Sequence, residues 1–459
     1  MKELLIQLND QSPKYKQIYE RVRSLIEESV LPKNTKLPSI RQLAAILHVS
    51  RNTTLIAYAQ LLAEGYIRSE EKRGYFVEAF EPIHLHQTLP TKSIMQKKEK
   101  PIIVDFRAGT VDQQAFPLKA WRRCSNEVLK EDMVYTYGEH QGDHLLRSQL
   151  SRYLLQSRGI QTTSEHIIIG SSTQQLLMHL SLFLKNRFSS VAVENPGYDG
   201  ARLVFQLHGF HLHPVKIGIK GLSLEHLGKT PSKLVYLTPS HQFPTGVTMP
   251  VPERHQLLKW AETHNGFIIE DDYDSEFRYK QHPIPALLSL QHGARVIYLG
   301  TFSKAFIPSI RLSYMVLPQI LIKPYLERFT GIEQCTSSIH QRTMGRFMEQ
   351  GHWDSHIRKM RTTYKQKMHT LVTCLQNTFG ETIEIIGPQS GLYVLVKIQG
   401  STKEDELIQL ALSLGVKVYP TSHYFLKQEE GTFIKLGFSN LSIEQIQLGV
   451  QLLKQAWRF

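Results

Sequence analysis

Arg295-Val-Ile-Tyr-Leu-Gly300-Thr301-Phe-Ser303-Lys304-Ala-Phe-Ile-Pro-Ser-Ile-Arg311 is the stretch on which the longer part of this chain turns. Val296 to Leu299 is a continuous apolar run closed by glycine, the pattern of a strand buried on both faces. A lysine that leaves such a strand between hydroxyl residues is poorly placed for solvation. It is well placed to form a Schiff base with an aldehyde cofactor, while Thr301, Ser303 and Arg311 hold a phosphate. A single lysine there reads first as a surface loop residue. The assignment therefore rests on its surroundings.

Similar apolar runs lie on both sides: Ile167–Gly170, Val191–Val193, Leu234–Leu237, Phe267–Glu270 and Leu312–Leu317. Amphipathic stretches separate them. Buried strands alternating with helices predict an α/β domain with a mainly parallel sheet of the seven-stranded type, covered on both faces. From about Thr343 a long helix and then Gly391–Val396 predict a small C-terminal α+β subdomain.

Ligands of an open α/β sheet lie beyond the C-terminal ends of its strands. Four more features fall at such ends. Gly170-Ser-Ser172-Thr173 opens a helix, where hydroxyls and backbone N–H groups receive phosphate or simply cap the helix. Glu270-Asp271-Asp272-Tyr273-Asp274 puts carboxylates at a buried strand end, which is costly unless they are paired. Asp271 suits a protonated pyridine nitrogen and Tyr273 the ring's phenolic oxygen, although an acidic cluster also suits Mg²⁺. Thr238-Pro-Ser-His-Gln-Phe-Pro-Thr-Gly246 is a turn-rich loop. Glu194-Asn-Pro-Gly-Tyr198 ends on an aromatic able to stack on a flat ring.

The N-terminal part has a different pattern. Lys14 to Val30 carries Tyr15, Ile18, Val22, Leu25 and Ile26 at helical spacing. Ser39 caps a helix with Ile40, Leu43, Ala44 and Leu47 on one face, His48-Val49 turn, and Ser50 caps a further helix that stops near Gly65. Ile67 to Val77 reads as two strands around Lys72-Arg73-Gly74. Together they predict a winged helix-turn-helix domain over residues 1–78. Pro82, Pro90 and Lys97-Lys98-Glu99-Lys100 mark residues 79–100 as a solvated linker. The α/β domain then takes residues 101–459.

A chain of 459 residues with 41% apolar content supports more than one core. No apolar stretch approaches ~20 residues, and the first residues do not form a signal peptide. Cys124, Cys335 and Cys374 have no metal-ligand spacing and read as reduced thiols of a cytoplasmic protein. The net charge of +13 suggests a polyanionic partner. Residues 1–80 hold only twelve Lys/Arg against nine Asp/Glu, so the excess is spread along the chain.

In these motifs and their order, residues 105–455 resemble a fold-type I pyridoxal-phosphate enzyme of the class I aminotransferase group. Leu37-Pro-Ser-Ile-Arg41, Val49-Ser-Arg51-Asn-Thr53 and Ala63-Glu-Gly-Tyr-Ile67 resemble the GntR-type winged helix. The combination is similar to the MocR/GabR group of transcriptional regulators. The resemblance implies pyridoxal 5'-phosphate as cofactor, with Lys304 carrying its internal aldimine, Asp271 on the ring nitrogen and Tyr273 on the ring oxygen. It implies Arg311, Ser303, Thr301, Ser172 and Thr173 around the phosphate and Tyr198 against the ring. It also implies a homodimer, a double-stranded DNA operator and an effector that is pyridoxal phosphate or an amino compound. Arg41, Arg51, Asn52 and Thr53 would reach the operator. The first turn of a recognition helix enters the major groove, where Arg reads guanine and Asn adenine. Arg73 at the wing tip suits a phosphate; Arg41 reads also as a helix-surface ion pair.

Three positions depart from the group. Phe243 replaces the asparagine before Pro-Thr-Gly. Asn440 stands where the substrate-carboxylate arginine is expected, and Gly200 where the γ-aminobutyrate sensor has a second arginine. Losing a charge-assisted bidentate pair removes roughly 1.5–3 kcal/mol. These departures count against γ-aminobutyrate as effector and against ordinary transamination, with Arg202 and Arg342 left as substitute cations. The expected function is a cofactor-dependent transcriptional regulator that forms aldimines without efficient turnover. The alternative is an active aminotransferase with an accessory DNA-binding domain.

Overall fold

The computed structural model describes residues 12–79, 101–279, 284–291, 293, 295–400, 402–426 and 431–458, with Leu4, Ile6, Leu8 and Asn9. They form two compact units, Met1–Lys98 and Glu99–Phe459. Nearly all of the expected linker, from residue 80 to 100, lies outside the described residues.

The smaller unit contains α1 (Lys14–Glu27), α2 (Ile40–Ile46), α3 (Arg51–Ala63), β1 (Ile67–Glu70) and β2 (Gly74–Val77). The first helix ends three residues before the expected Val30, at a turn in which Ser29 adopts φ 59°. Ser39 and Gln42 form a reciprocal capping box at the start of α2, and the Ser50 hydroxyl accepts from the Thr53 N–H at the start of α3. Such caps stabilise a helix by about 1 kcal/mol each. The buried face of α3, Thr54, Ala57, Tyr58 and Leu61, fixes its orientation. Tyr58 is fully buried and donates to the Pro38 carbonyl at 3.0 Å. The antiparallel pair β1–β2 forms the wing, in register from Ile67↔Val77 to Glu70↔Gly74.

The larger unit contains β3 (Val104–Asp105), β4 (Ile167–Gly170), β5 (Ser190–Asn195), β6 (His211–Gly218), β7 (Gly221–Leu222), β8 (Leu234–Leu237), β9 (Phe267–Asp272), β10 (Val296–Thr301) and β11 (Ser313–Val316). It continues with β12 (Ile383–Ile386), β13 (Tyr393–Ile398), β14 (Val416–Lys417) and β15 (Thr432–Gly437). Among the described residues, eight strands form the main sheet in the order β4-β11-β10-β9-β8-β5-β6-β7. The eighth is the two-residue β7, added antiparallel to the edge of β6. β10, β9, β8, β5 and β6 pair in parallel, and β11 runs antiparallel between β10 and β4. The central strands are buried along their length because core clusters cover both faces of the sheet. A separate antiparallel sheet, β12-β13-β15, stands in the C-terminal part beside the long helix His352–Phe379.

Candidate functional site

The parallel strands end at one edge of the main sheet. The turns that follow bring all nine expected cofactor residues into one cavity of ≈ 330 Å³: Ser172, Thr173, Tyr198, Asp271, Tyr273, Thr301, Ser303, Lys304 and Arg311. Lys304 follows β10 and is half-buried in the cavity wall. Burial holds its ammonium below the usual lysine range, opposed in part by Asp274 and Asp271. Gly109, at φ 88°, makes the space for it, since a Cβ there would collide with Lys304 Nζ.

Strand alternation gives the carboxylates of β9 different partners. Glu270 accepts from the Leu287 N–H at 3.0 Å and the Leu288 N–H at 3.3 Å. Asp272 pairs with Arg158 at 2.7 Å and accepts from the Tyr298 hydroxyl at 2.6 Å. Asp271, between them, lines the cavity and accepts from Tyr236 at 2.5 Å through Oδ2. Its Oδ1 is buried and has no hydrogen-bond partner among the described residues. Burial pushes the Asp271 carboxyl up to about 7, helped by the neighbouring Asp272 and Asp274.

Tyr273 lies next to a buried pair not anticipated from sequence. Its hydroxyl is 3.0 Å from His241 Nδ1 and 3.2 Å from the Tyr393 hydroxyl, and His241 Nδ1 lies 2.9 Å from both carboxylate oxygens of Asp274. The loop that carries His241 is fixed from Glu194, whose Oε2 accepts from Thr238 N–H at 3.0 Å and Thr238 Oγ1 at 2.7 Å. Burial raises the Glu194 carboxyl to about 8.

At the phosphate-like end, Ser172 caps the helix Thr173–Leu184. Thr301 Oγ1 accepts from the Ser303 N–H at 3.2 Å and from Ser313 Oγ at 2.9 Å. It therefore shapes the turn as well as lining the cavity. Arg311 adopts the left-handed conformation, φ 54° and ψ 48°, and makes no ion pair among the described residues. A non-glycine residue held there costs of order 1 kcal/mol, a strain that recurs at ligand sites.

The expectation about Asn440 is corrected. Asn440 is exposed and does not line the cavity, because β15 ends at Gly437. The cation that β15 supplies is Lys435, only 8% exposed. Its ammonium donates to the Tyr424 hydroxyl and lies 4.4 Å from that ring's centroid and 5.2 Å from that of Phe243. Burial lowers its pKa to about 8, with Lys304 adding to the shift. Arg202 and Arg342 do not substitute. Arg202 donates to the carbonyls of Tyr424 and His423 at 2.8 and 2.5 Å, and Arg342 pairs with Glu131 and Asp143 at 3.3 and 3.1 Å. At Gly200 a Cβ would collide with the Tyr198 ring, so the missing side chain leaves room for that tyrosine.

In the smaller unit Arg41, Arg51 and Asn52 are exposed and Thr53 is half-buried, bonded at 2.7 Å to the Ser50 hydroxyl. Neither Arg41 nor Arg51 makes an ion pair among the described residues. Arg73 does: it pairs with Glu70 at 2.5 Å and lies over Phe76 at the wing.

Comparisons with known proteins agree with both units. Residues 101–453 match the family model for aminotransferase class I and II, and residues 14–77 that for bacterial regulatory proteins of the gntR family. The HTH-type transcriptional regulator YhdI of Bacillus subtilis is 39% identical over 97% of this chain and 96% of its own length. The probable rhizopine catabolism regulatory protein MocR of Rhizobium meliloti is 29% identical over 97% and 94%. The structure of Pyrococcus horikoshii kynurenine aminotransferase in complex with PMP superposes with a TM-score of 0.70 at 25% identity, covering 78% of this chain and 91% of that one. With both family matches in sequence order and relatives that span almost its whole length, the chain belongs to the MocR-type transcriptional regulators, a gntR-family DNA-binding domain followed by an aminotransferase class I and II domain.

Proposed function

We propose that the aminotransferase-type unit holds pyridoxal phosphate at Lys304 and that occupancy of this site sets how strongly the winged helix grips its operator. The carrying observation is the unpaired Oδ1 of Asp271 in the cavity that also holds Lys304. A buried carboxylate oxygen without a donor is costly, and a protonated ring nitrogen is a donor that fits. When bound, the cofactor supplies an aldehyde that amines condense with and a ring that withdraws electrons. The chain's own residues set the conditions for this. Burial favours the neutral, nucleophilic amine at Lys304 Nζ. Asp271 holds a proton at the ring nitrogen, and Tyr198 helps to close the cavity against water. Ser172, Thr173, Ser303 and Arg311 supply hydroxyls, a helix N-terminus and a positive charge for a phosphate.

The effector is then the cofactor itself or an amino compound that reaches the aldehyde. Lys435 and its aromatic neighbours favour one with an anionic group. The protein works as a homodimer on a two-half-site operator, because a two-fold pair of units presents two winged helices. The domains run over residues 1–78 and 101–459, with 79–100 as the linker. Full-length protein reconstituted with pyridoxal phosphate is expected to absorb in the visible and to change operator affinity on loading. A colourless protein, or an affinity indifferent to loading, would overturn the reading.

One observation favours the second reading, an active aminotransferase. Lys435 restores a cation to the part of the cavity where the sequence had suggested Asn440. Sustained keto-acid production from an amino-acid panel would establish turnover.

A further inference from the structure

We propose that Leu55 and Ile56 on α3 read the methyl groups of thymine in the operator, beside the base contacts of Arg51 and Asn52. The inference rests on the reading of the smaller unit as a DNA-binding domain and goes beyond it by naming a base class.

A helix lying on a domain surface normally presents a polar face outward. In α3 the outward face carries Arg51 and Asn52 and, one turn on, Leu55 and Ile56. Those two aliphatic side chains are 47% and 41% exposed, and neither joins the apolar cluster that forms the core of its unit. Arg51 and Leu55 are spaced i,i+4, as are Asn52 and Ile56, so each polar residue has an aliphatic one directly behind it.

The charge of the segment that carries α2 and α3 selects the occupant. From Ser29 to Ala63 the chain has Lys33, Lys36, Arg41 and Arg51 and no Asp or Glu. All four cations are exposed. An exposed aliphatic pair on a helix whose residues 51–63 include an arginine and no carboxylate suits a polyanion that displays methyl groups. In the major groove only thymine does so, through its C5-methyl. An asparagine on adenine lies in the same groove as the methyl of the paired or a neighbouring thymine, which Ile56, one turn behind Asn52, is placed to meet.

The test uses full-length protein and a duplex selected by it from a random pool. In a second duplex each thymine is replaced by uracil, which removes only the methyl. Wild-type protein is expected to lose about fourfold in affinity for each contacted methyl, the equivalent of ~0.8 kcal/mol. Leu55→Ala and Ile56→Ala are expected to bind the thymine duplex more weakly and to lose their response to uracil at separate positions. Equal affinity of wild-type protein for both duplexes would overturn the proposal while leaving DNA binding intact. So would a lowered unfolding midpoint in either variant, which would show the residue packed against protein. Selection of no duplex at all would remove the DNA-binding reading and this inference together.

Discussion

Tyr236 donates a 2.5 Å hydrogen bond to Oδ2 of Asp271, while Oδ1 of the same carboxylate is buried without a partner. One oxygen is anchored by the sheet and the other awaits a donor. Because its folded pKa of about 7 lies above the ordinary 3.8, the proton favours the folded state. This contribution is complete below about pH 4 and is lost as pH rises through about 7, amounting to a few kcal/mol. Denaturation of cofactor-free protein across this range is expected to show the decline. Asp271→Asn is expected to make it shallower, the buried Glu194, with its carboxyl raised to about 8, contributing part of what remains. Cofactor is expected to restore stability above pH 7 more in wild-type protein than in the variant.

Lys304 tests the covalent part. Desolvation at the cavity wall disfavours the ammonium, so removal of the side chain should not weaken the cofactor-free fold. Lys304→Ala is expected to keep or raise the unfolding midpoint and to replace the Schiff-base band of reconstituted protein with the absorption of the free aldehyde. A Lys304→Ala protein whose cofactor becomes fixed to the chain on borohydride reduction would show that another amine holds it.

The first half of this site was legible in the sequence because successive buried strands each end in a chemically distinctive turn. Ser172, Tyr198, Asp271 and Lys304 are distant in sequence, yet strand polarity alone puts them at one edge. The second half was not legible. Lys435 sits in Phe433-Ile-Lys435-Leu, where alternation reads as a solvent-facing residue of a half-exposed strand, and only closure of the β12-β13-β15 sheet over the cavity reveals it. Asn440 was misassigned for the same reason, since the strand bearing the cation ends three residues earlier. Similarly β6, with His211, His213 and Pro214, lacks an apolar run because it lies near the edge of the sheet and is only partly covered. The winged helix was legible almost throughout, because caps and turn residues encode it locally.

Lys435 should decide which amino compounds are recognised. With a pKa of about 8 it is charged at neutral pH, and an anion held by it binds more weakly as pH rises through that value. Titrations of loaded protein, followed by the visible band, are expected to show tighter binding of carboxylate-bearing amines than of uncharged ones. Lys435→Gln should remove that preference, by roughly tenfold or more, and Lys435→Arg should retain it at higher pH. An unchanged preference in Lys435→Gln would place the anion site elsewhere.

Gly200 provides a steric test. A Cβ at this position would collide with the Tyr198 ring and with Gln174, both of which line the cavity. Gly200→Ala is expected to displace Tyr198 and to cost about 1–3 kcal/mol of stability. The cofactor dissociation constant, measured by absorbance titration, should rise. Unchanged affinity would remove Tyr198 from the cofactor site.

Arg51 and Arg73 are both exposed cations of the winged helix, but their surroundings differ. Arg51 makes no ion pair among the described residues and begins α3, whereas Arg73 is already paired with Glu70 and lies over Phe76. A free guanidinium at the start of a recognition helix is available for bidentate contact with guanine, worth about 1–3 kcal/mol of discrimination. A paired one at a wing suits the phosphate backbone. Arg51→Ala is therefore expected to weaken binding to the selected operator far more than to random duplex. Arg73→Ala is expected to weaken both alike and to lower the salt slope by about one. Equal losses on both duplexes for Arg51→Ala would reduce Arg51 to a phosphate contact and shift base reading to Asn52 and the residues behind it.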